Sequence, residues 1–240
     1  CALLEAGPGV AVDVGASYGA FTLAGRYGPD TTVIAFEPNP DVAECLERSV
    51  VTHPDHARIT VRHEAVSDRA GPVTLLIDRK KSGCSSIHQS PRFRGVIRPY
   101  STTAVRLDEV LTVPAGATLL VKSDTEGHDD AVWRGLGSLL RSTRVMGIIE
   151  YAPDLLAHAS RYASGLLGWL ATRFTLWWIR DEPGGGLTRL PPAEVPGFAR
   201  CGNVVVATDR SVVETAARRA GIPLYEDHER TAGCGIIVRG

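Results

Sequence analysis

Short apolar runs rich in β-branched residues alternate along the chain with segments whose apolar residues recur at helical spacing. The strand-like runs lie at 10–14, 32–37, 59–64, 73–78, 119–124, 145–150, 175–180 and 203–208. Helical spacing follows at 19–27, behind the N-cap candidate Asn39 and Pro40, at 130–140 and at 164–172. Strands that alternate with helices pack into a mostly parallel sheet with helices on both faces. The pattern therefore predicts a doubly wound α/β fold.

The same pattern predicts one domain. The 240 residues contain no internal repeat, and the proline-containing stretch at 191–196 is too short for an interdomain linker. We therefore predict a single domain over residues 1–240, a size that can bury a full core. After 73–78 the alternation stops, and we predict an irregular segment over 79–103 within a basic loop at about 79–107. Residues 221–240 are predicted to form a C-terminal extension.

Composition disfavours several classes of function. The formal net charge of -1 gives no overall attraction to nucleic acid or to an acidic membrane surface. No apolar run approaches the roughly 18–20 residues of a membrane helix. The five cysteines are scattered and odd in number, which is typical of reduced thiols in the cytoplasm. The chain begins with Cys1 and not with Met, so we expect a further N-terminal segment; a homodimer is compatible with these features.

The first predicted strand runs into a loop that contains two glycines. In "VDVGASYGAF", Asp13 precedes Gly15 and Gly19. Ligands of open parallel sheets bind at the carboxyl ends of the strands, where glycine lets the backbone approach them. A pyrophosphate would require G-x-G-x-x-G, but Ser17 and Ala20 stand where the second and third glycines belong. Asp13 would also repel phosphates, whereas a zwitterionic amino-acid tail tolerates an acid.

The second predicted strand ends at Glu37, in "IAFEPNP". A carboxylate at this place can accept hydrogen bonds from both hydroxyls of a ribose. A capping role for Asp13 and a solvated strand end at Glu37 would explain either residue alone. Together, the glycine loop, its acid and the ribose acid favour S-adenosylmethionine as the ligand, and they disfavour an NAD-dependent oxidoreductase.

Five segments, taken in order, resemble the FkbM-type methyltransferases: "VDVGASYGAFTLA", "IAFEPNP", "EAVSD", "TTAVRLDEVL" and "VKSDTEGHDDAVWRGL". The likeness runs from about residue 10 to 150, with a looser similarity to 208. It implies a Rossmann-like class I methyltransferase fold with seven strands and an antiparallel last strand. It also implies S-adenosylmethionine as donor and a hydroxyl of a small molecule as acceptor.

The resemblance assigns residues to the donor site in three groups. The donor loop is matched by Asp13, Gly15, Ala16, Ser17, Tyr18 and Gly19, the ribose turn by Glu37, Pro38 and Asn39, and the adenine side by Glu64, Ala65 and Val66. The sequence departs from the family's pattern near Asp124, which Ser123 and Thr125 flank where apolar residues are more usual. Asp129 stands where the family usually has Glu.

Acidic residues and a histidine at later strand ends are the candidates for chemistry. An alcohol is roughly as weak an acid as water, so a general base would assist its methylation. We predict Asp124 at the donor or the acceptor, His128 as the base or its support, and Glu150 at the same edge of the sheet. Alternatively, Asp124 and Glu126 cap the next helix and His128 packs in its first turn.

A magnesium site is a further alternative at these strand ends. Asp124, Asp129, Asp130 and Glu150 could supply the hard oxygen ligands that magnesium prefers. No tight ligand spacing supports such a site. We therefore predict no metal.

The insert is locally basic although the whole chain is nearly neutral. Between 79 and 107 it carries no Asp or Glu and seven positive residues: Arg79, Lys80, Lys81, Arg92, Arg94, Arg98 and Arg106. The FkbM resemblance places a serine-containing loop here, near the acceptor, with Ser85, Ser86, His88 and Arg92 as predicted substrate-binding residues. We predict a lid that favours an anionic acceptor; a solvated loop kept basic for solubility is the alternative.

These observations lead to one main hypothesis and two alternatives. The main hypothesis is O-methylation of a small molecule such as a sugar, a polyketide or another secondary metabolite. N-methylation needs less assistance from a base if the amine binds neutral. A non-catalytic domain that binds S-adenosylmethionine would have the same donor motifs.

Overall fold

The computed structural model describes residues 9–25, 27–159, 165–182 and 184–226. The strands in these ranges are β1 (Val10–Val14), β2 (Thr32–Phe36), β3 (Ile59–Arg62), β4 (Ala65–Val66), β5 (Gly71–Asp78), β6 (Ile97–Val105), β7 (Thr118–Ser123), β8 (Arg144–Tyr151), β9 (Thr175–Ile179), β10 (Leu187–Leu190), β11 (Gly202–Ala207) and β12 (Leu224–Tyr225). The helices are α1 (Ala20–Ala24), α2 (Pro40–Val51), α3 (Leu107–Val110), α4 (Asp129–Arg134), α5 (Leu139–Ser142), α6 (Pro153–Ala159), α7 (Leu166–Ala171) and α8 (Arg210–Arg219).

Most of the strands form one large mixed sheet. Its order over the described ranges is β12-β10-β9-β11-β8-β7-β1-β2-β3. β1 pairs in parallel with β2 and β7, and β11 runs antiparallel to β8 and β9. The doubly wound class I fold is therefore confirmed, and β11, the last of the strands predicted from the sequence, is antiparallel as expected.

The predicted count of seven strands is wrong for this sheet. β10 and β12 extend it beyond β9, so nine strands are found in the described residues. β10 has four residues and β12 has two. Such short strands show too little alternation for a hydrophobic pattern to reveal them.

Helices cover both faces of the large sheet, so its central strands are buried on both sides. In β1, Val10, Val12 and Val14 belong to one core with Trp133 of α4, while Ala11 belongs to the other core with Leu46 of α2. Parallel strands covered on both faces are expected to be almost continuously apolar, as β1 is. Polar residues in these strands are therefore of special interest.

Two helices show how local sequence sets their limits. The side chain of Asn39 accepts a hydrogen bond from the backbone N–H of Asp41 at 3.2 Å, which confirms the predicted N-cap of α2. The single helix predicted over 130–140 is wrong, because α4 ends before Gly135 and α5 starts at Leu139. Gly137, between them, has a φ of 32°. In the predicted helix 19–27, α1 ends at Ala24, and residue 26 lies outside the described ranges.

A small sheet of β4, β6 and β5 contains part of the predicted irregular segment. β6 pairs antiparallel with β5 from Gly71↔Ala104 to Asp78↔Ile97, and parallel with β4. The prediction of irregular structure over 79–103 is therefore wrong from residue 97 onward. Most of β6 is exposed, so it shows little hydrophobic alternation, and pairing with its neighbours determines its conformation. Between β5 and β6 the chain is irregular apart from a 3-10 turn at Ser82–Cys84 and an isolated antiparallel bridge between Ser86 and Leu76.

The remaining predictions concern the chain ends and connections. Of the predicted C-terminal extension 221–240, the part up to residue 226 is described and contains β12, which pairs in parallel with β10. Residues 227–240 lie outside the described ranges, as does residue 164 at the start of the helix predicted at 164–172. None of the helices in the described part of the chain combines the length and apolar character needed to cross a bilayer.

Candidate functional site

A cavity lies at the carboxyl ends of β1, β2, β7 and β8. Most of the predicted site residues reach its wall: Gly15, Ser17, Glu37, Pro38, Glu64, Ala65, Val66, Ser85, Ser86, Asp124, His128 and Glu150. Ala16, Gly19 and Asn39 are buried and belong to the loops that form this wall, and Asp13 is buried within β1. The cavity therefore connects the predicted donor side with the predicted acceptor side.

The glycine loop is held tightly against the neighbouring strand ends. The N–H groups of Gly15 and Ala16 both donate to the carbonyl of Phe36 at 3.0 Å. Gly15 has a φ of 73°, and a Cβ on it would lie 2.0 Å from the carbonyl oxygen of Asp124. No side chain fits there, so glycine is what lets this loop pack against the backbone at the end of β7.

Glu37 is the buried acid of the site. Its side-chain oxygens accept the N–H of Ser17 at 2.8 Å and the N–H of Asn39 at 2.9 Å. Burial raises the pKa of Glu37, although these two N–H groups act in the opposite direction. Each oxygen accepts one N–H and has a second lone pair, so the carboxylate can still accept two hydroxyl groups.

The predicted adenine-side residues and Tyr18 differ in their contacts and in their exposure. Glu64 forms an ion pair with Arg62 at 2.5 Å, whose hydrogen bond lowers the pKa of Glu64. Ala65 and Val66 are buried apolar wall residues. Tyr18 is 55% exposed, and its hydroxyl hydrogen-bonds with Ser82 at 3.0 Å. Tyr18 thus links the glycine loop to the insert.

Lys122 is a site residue that the sequence analysis did not identify. Its ammonium lies 3.4 Å from Asp13, 3.5 Å from Asp124 and 3.2 Å from the carbonyl oxygen of Gly15. Burial lowers the pKa of Lys122, but the two carboxylates outweigh this effect and the net pKa is raised. A lysine directly after the apolar run "LLV", inside a strand predicted to be buried, was the signal that could have revealed it.

Carboxylates converge at the acceptor end of the cavity. Asp124, Glu126 and Glu150 each have an oxygen within 4.8 Å of the others. Burial, followed by the nearby Asp124 carboxylate, raises the pKa of Glu150 to about 8. Glu150 therefore holds its proton to a higher pH than an ordinary glutamate does.

Arg92 of the insert lies beside this cluster of three carboxylates. Its guanidinium is 3.3 Å from Glu126, 3.9 Å from Glu150 and 3.5 Å from Asp154. Burial lowers the pKa of Arg92, but these carboxylates raise it by more, so its net pKa is raised. Arg92 is thus fully charged and already paired.

This cluster of three carboxylates differs from the set of four magnesium ligands that the sequence suggested as an alternative. Asp129 accepts the N–H of Thr125 at 3.4 Å, and Asp130 accepts from Arg134 at 2.8 Å; both acids are buried in α4. Glu126 takes their place beside Asp124 and Glu150. Three carboxylates could hold a hard cation, but the guanidinium of Arg92 already lies against two of them.

His128 sits in a hydrogen-bonded chain on the cavity wall. One ring nitrogen hydrogen-bonds with His88 at 2.8 Å and the other with the hydroxyl of Ser67 at 3.0 Å. Burial, followed by His88, lowers the pKa of His128 to about 4, and burial also lowers the pKa of His88. Both nitrogens are occupied and the ring binds protons weakly, so the structure gives His128 a supporting position.

Several side chains of the insert connect the two halves of the cavity. Ser85 accepts from the side chain of Asn39 at 3.3 Å, and Ser86 donates to the carbonyl of Glu126 at 3.0 Å. Arg98 pairs with Asp41 at 2.7 Å, and Arg94 donates to backbone carbonyls. The insert therefore crosses from the donor loops to the acceptor end.

The sequence departures near Asp124 have structural explanations. Ser123 is buried and accepts the indole N–H of Trp133 at 3.0 Å. This bond satisfies a polar group of a fully buried tryptophan. The predicted helix-capping role of Asp124 is not seen, since the N-cap position of α4 is His128, which makes no side-chain capping bond.

Comparison with known proteins finds a family match over part of the chain. The family model described as "Methyltransferase FkbM domain" matches residues 13–165, which is more than half of the chain. No curated protein sequence matches the chain.

Among solved structures, the chain is similar to an FkbM methyltransferase from Methylobacillus flagellatus, with 16% identity and a TM-score of 0.47 over 84% of this chain and 44% of that one. It is also similar to an S-adenosylmethionine-dependent O-methyltransferase from Thermotoga maritima, with 11% identity and a TM-score of 0.40 over 85% of this chain and 61% of that one. A third similar structure is a precorrin-6y C5,15-methyltransferase from Geobacter metallireducens, with 9% identity and a TM-score of 0.42 over 86% of this chain and 83% of that one. The chain thus spans less than half of the Methylobacillus protein. On the family match, this chain belongs to the FkbM methyltransferase family.

Proposed function

We propose that the protein is an S-adenosylmethionine-dependent methyltransferase that acts on a hydroxyl of a small molecule. One observation carries the proposal: a single cavity joins the glycine loop and Glu37 to Asp124 and Glu150. Family membership implies S-adenosylmethionine as methyl donor. The acceptor we propose is a sugar, a polyketide or another secondary metabolite.

The donor end fits S-adenosylmethionine on structural grounds. Glu37 retains two free acceptor positions for the ribose hydroxyls, and Gly15 lines the same cavity with backbone atoms alone. Ala65 and Val66 provide an apolar wall for the adenine. When bound, S-adenosylmethionine supplies an electrophilic methyl group that a nucleophile can accept.

Glu150 is the group we assign as general base. A base is most effective when its pKa is near the working pH, and the pKa of Glu150 is about 8. Its neighbour Asp124 lies at the end of β7, beside the donor loop. In its ionised form, Glu150 would take the proton of the acceptor hydroxyl as the hydroxyl oxygen bonds to the methyl carbon. The bond between that carbon and the donor sulfur would break at the same time, which leaves S-adenosylhomocysteine. His128, with both nitrogens occupied, supports the cavity wall.

N-methylation is the second candidate, because the acceptor end is acidic. Glu126, Glu150 and Asp154 surround a single guanidinium, and such a wall would also hold an ammonium. An amine acceptor must lose its proton before it reacts. The pH dependence of turnover would then follow the pKa of the amine instead of that of Glu150.

The test is incubation of the purified protein with isotope-labelled S-adenosylmethionine and a metabolite extract. We expect label in one small molecule, and mass spectrometry of the product shows whether oxygen or nitrogen carries it. Label on nitrogen would support the second candidate. No transfer by a protein that binds the donor would instead indicate the non-catalytic alternative.

A further inference from the structure

Lys122 occupies a position that apolar strands rarely give to lysine. It lies in β7 between buried residues, and its side chain is only 17% exposed. Its ammonium is within 3.5 Å of three oxygens, from Asp13, Asp124 and the Gly15 carbonyl. Within the described residues, no other Lys or Arg lies within 4.0 Å of either carboxylate. One cation thus serves two acids beneath the glycine loop.

In the strand order of the sheet, these partners lie on the side of the ribose position away from the adenine side. Glu64 of the adenine side comes after β3 and Glu37 follows β2, whereas Gly15 follows β1 and Asp124 follows β7, the next strands along the sheet. If the proposed function is right, the amino-acid tail of the donor must lie against Gly15 and Asp124. The tail carries one ammonium and one carboxylate.

The charges at this end explain what Lys122 contributes. Without it, Asp13 and Asp124 would present two carboxylates, which attract the tail's ammonium but repel its carboxylate. Charges a few ångströms apart in a partly buried site interact by several kcal/mol, so the repulsion would matter. With Lys122, the net charge of the three side chains is −1 instead of −2. Both the ammonium and the carboxylate of a zwitterionic tail can then be accommodated.

We propose that Lys122 is a positioning residue for the amino-acid tail of the donor, and that it makes the site select nucleosides that carry a zwitterionic tail. The inference rests on the proposed function. It goes beyond it because it assigns donor selectivity to a residue outside the glycine loop and the ribose turn.

The test compares two ligands that differ in the tail alone. S-adenosylhomocysteine carries the amino-acid tail, and 5′-methylthioadenosine has the same nucleoside and sulfur without it. We expect Lys122→Met to weaken S-adenosylhomocysteine binding roughly 10- to 100-fold, as for loss of a charge-assisted contact. Binding of 5′-methylthioadenosine should change by less than about threefold, within the effect of a neutral contact. Lys122→Arg should keep most of the selectivity, and Lys80→Met, at an exposed lysine, is the control.

Calorimetry separates this role from a structural one. A lysine that only braces the glycine loop would weaken both ligands equally, and that result would overturn the proposal, as would unchanged binding of S-adenosylhomocysteine. If Lys122→Met does not fold, Lys122→Gln takes its place. Equal affinity of the wild-type protein for both ligands would also overturn it. If the wild-type protein bound neither ligand, the proposed function itself would fail.

Discussion

Replacing Glu37 with Gln tests the ribose position of the donor site with a change of few atoms. The carboxylate is 6% exposed, and each oxygen accepts one backbone N–H, from Ser17 and from Asn39. The amide of Gln has one oxygen and one NH₂ group. Whichever way it turns, its NH₂ group faces one of these N–H donors, and only one accepting oxygen remains.

Two energies follow from this geometry, and they differ in size. Loss of a charge-assisted hydrogen bond to a ribose hydroxyl costs about 1.5–3 kcal/mol, so donor affinity should fall roughly 10- to 100-fold. An unsatisfied buried N–H costs about 1–3 kcal/mol of stability. Burial already disfavours the charge of Glu37, as its raised pKa shows, so removal of the charge offsets part of that cost. Binding should therefore suffer more than folding.

Calorimetry with S-adenosylhomocysteine and urea unfolding measure the two effects separately. Glu44→Gln is the matched control, because Glu44 is exposed on α2 and pairs with Arg48 on the same helix. As the pH falls toward the raised pKa of Glu37, wild-type affinity should approach that of Glu37→Gln. A folded Glu37→Gln protein with wild-type affinity would show that Glu37 does not bind the ribose.

Three further predictions address the acceptor end and the core. Turnover of the wild-type protein should rise with pH through about 8, and Glu150→Gln should lower it by about 10²-fold or more and flatten the profile; an unchanged profile would remove Glu150 as base. Arg92→Gln should shift the wild-type profile to higher pH by removing a cation beside Glu150, whereas Arg98→Gln, whose partner is Asp41, should not. Burial raises the pKa of Asp129 to about 6, so ionised Asp129 destabilises the folded state. Between pH 4 and pH 7 the wild-type protein should therefore lose about 2.3 kcal/mol of unfolding free energy relative to Asp129→Asn. Parallel urea unfolding curves for the two proteins at pH 4 and pH 7 measure this loss.

The sheet core and the donor loops could be predicted from sequence because their signals are local. β1 is an apolar run that contains Asp13, and β2 is an apolar run that is followed directly by Glu37. Parallel strands place their carboxyl ends at one edge, so the order of these runs largely determines that they share a cavity. The glycines at 15 and 19 have positive φ, as such a loop requires.

The missed features depend on contacts between segments far apart in sequence. β6 is polar and exposed, and it forms a strand because β4 and β5 supply its hydrogen-bond partners. The environment of His128 is another case, since its partners His88 and Ser67 lie 40 and 61 residues away. From sequence alone its unperturbed pKa near neutrality made it the natural base. In the fold, burial and a second imidazole remove that property.

The insert shows why an excess of charge along the chain need not create a charged surface. Arg92 and Arg98 are basic residues in a segment without acids, yet each faces carboxylates that other segments provide. Around Arg92 the acids outnumber the guanidinium, since Glu126, Glu150 and Asp154 all lie within 4.0 Å. An anionic acceptor, which stays a prediction, would have to draw Arg92 from these partners and leave them uncompensated. A neutral hydroxyl meets no such cost at this end of the cavity.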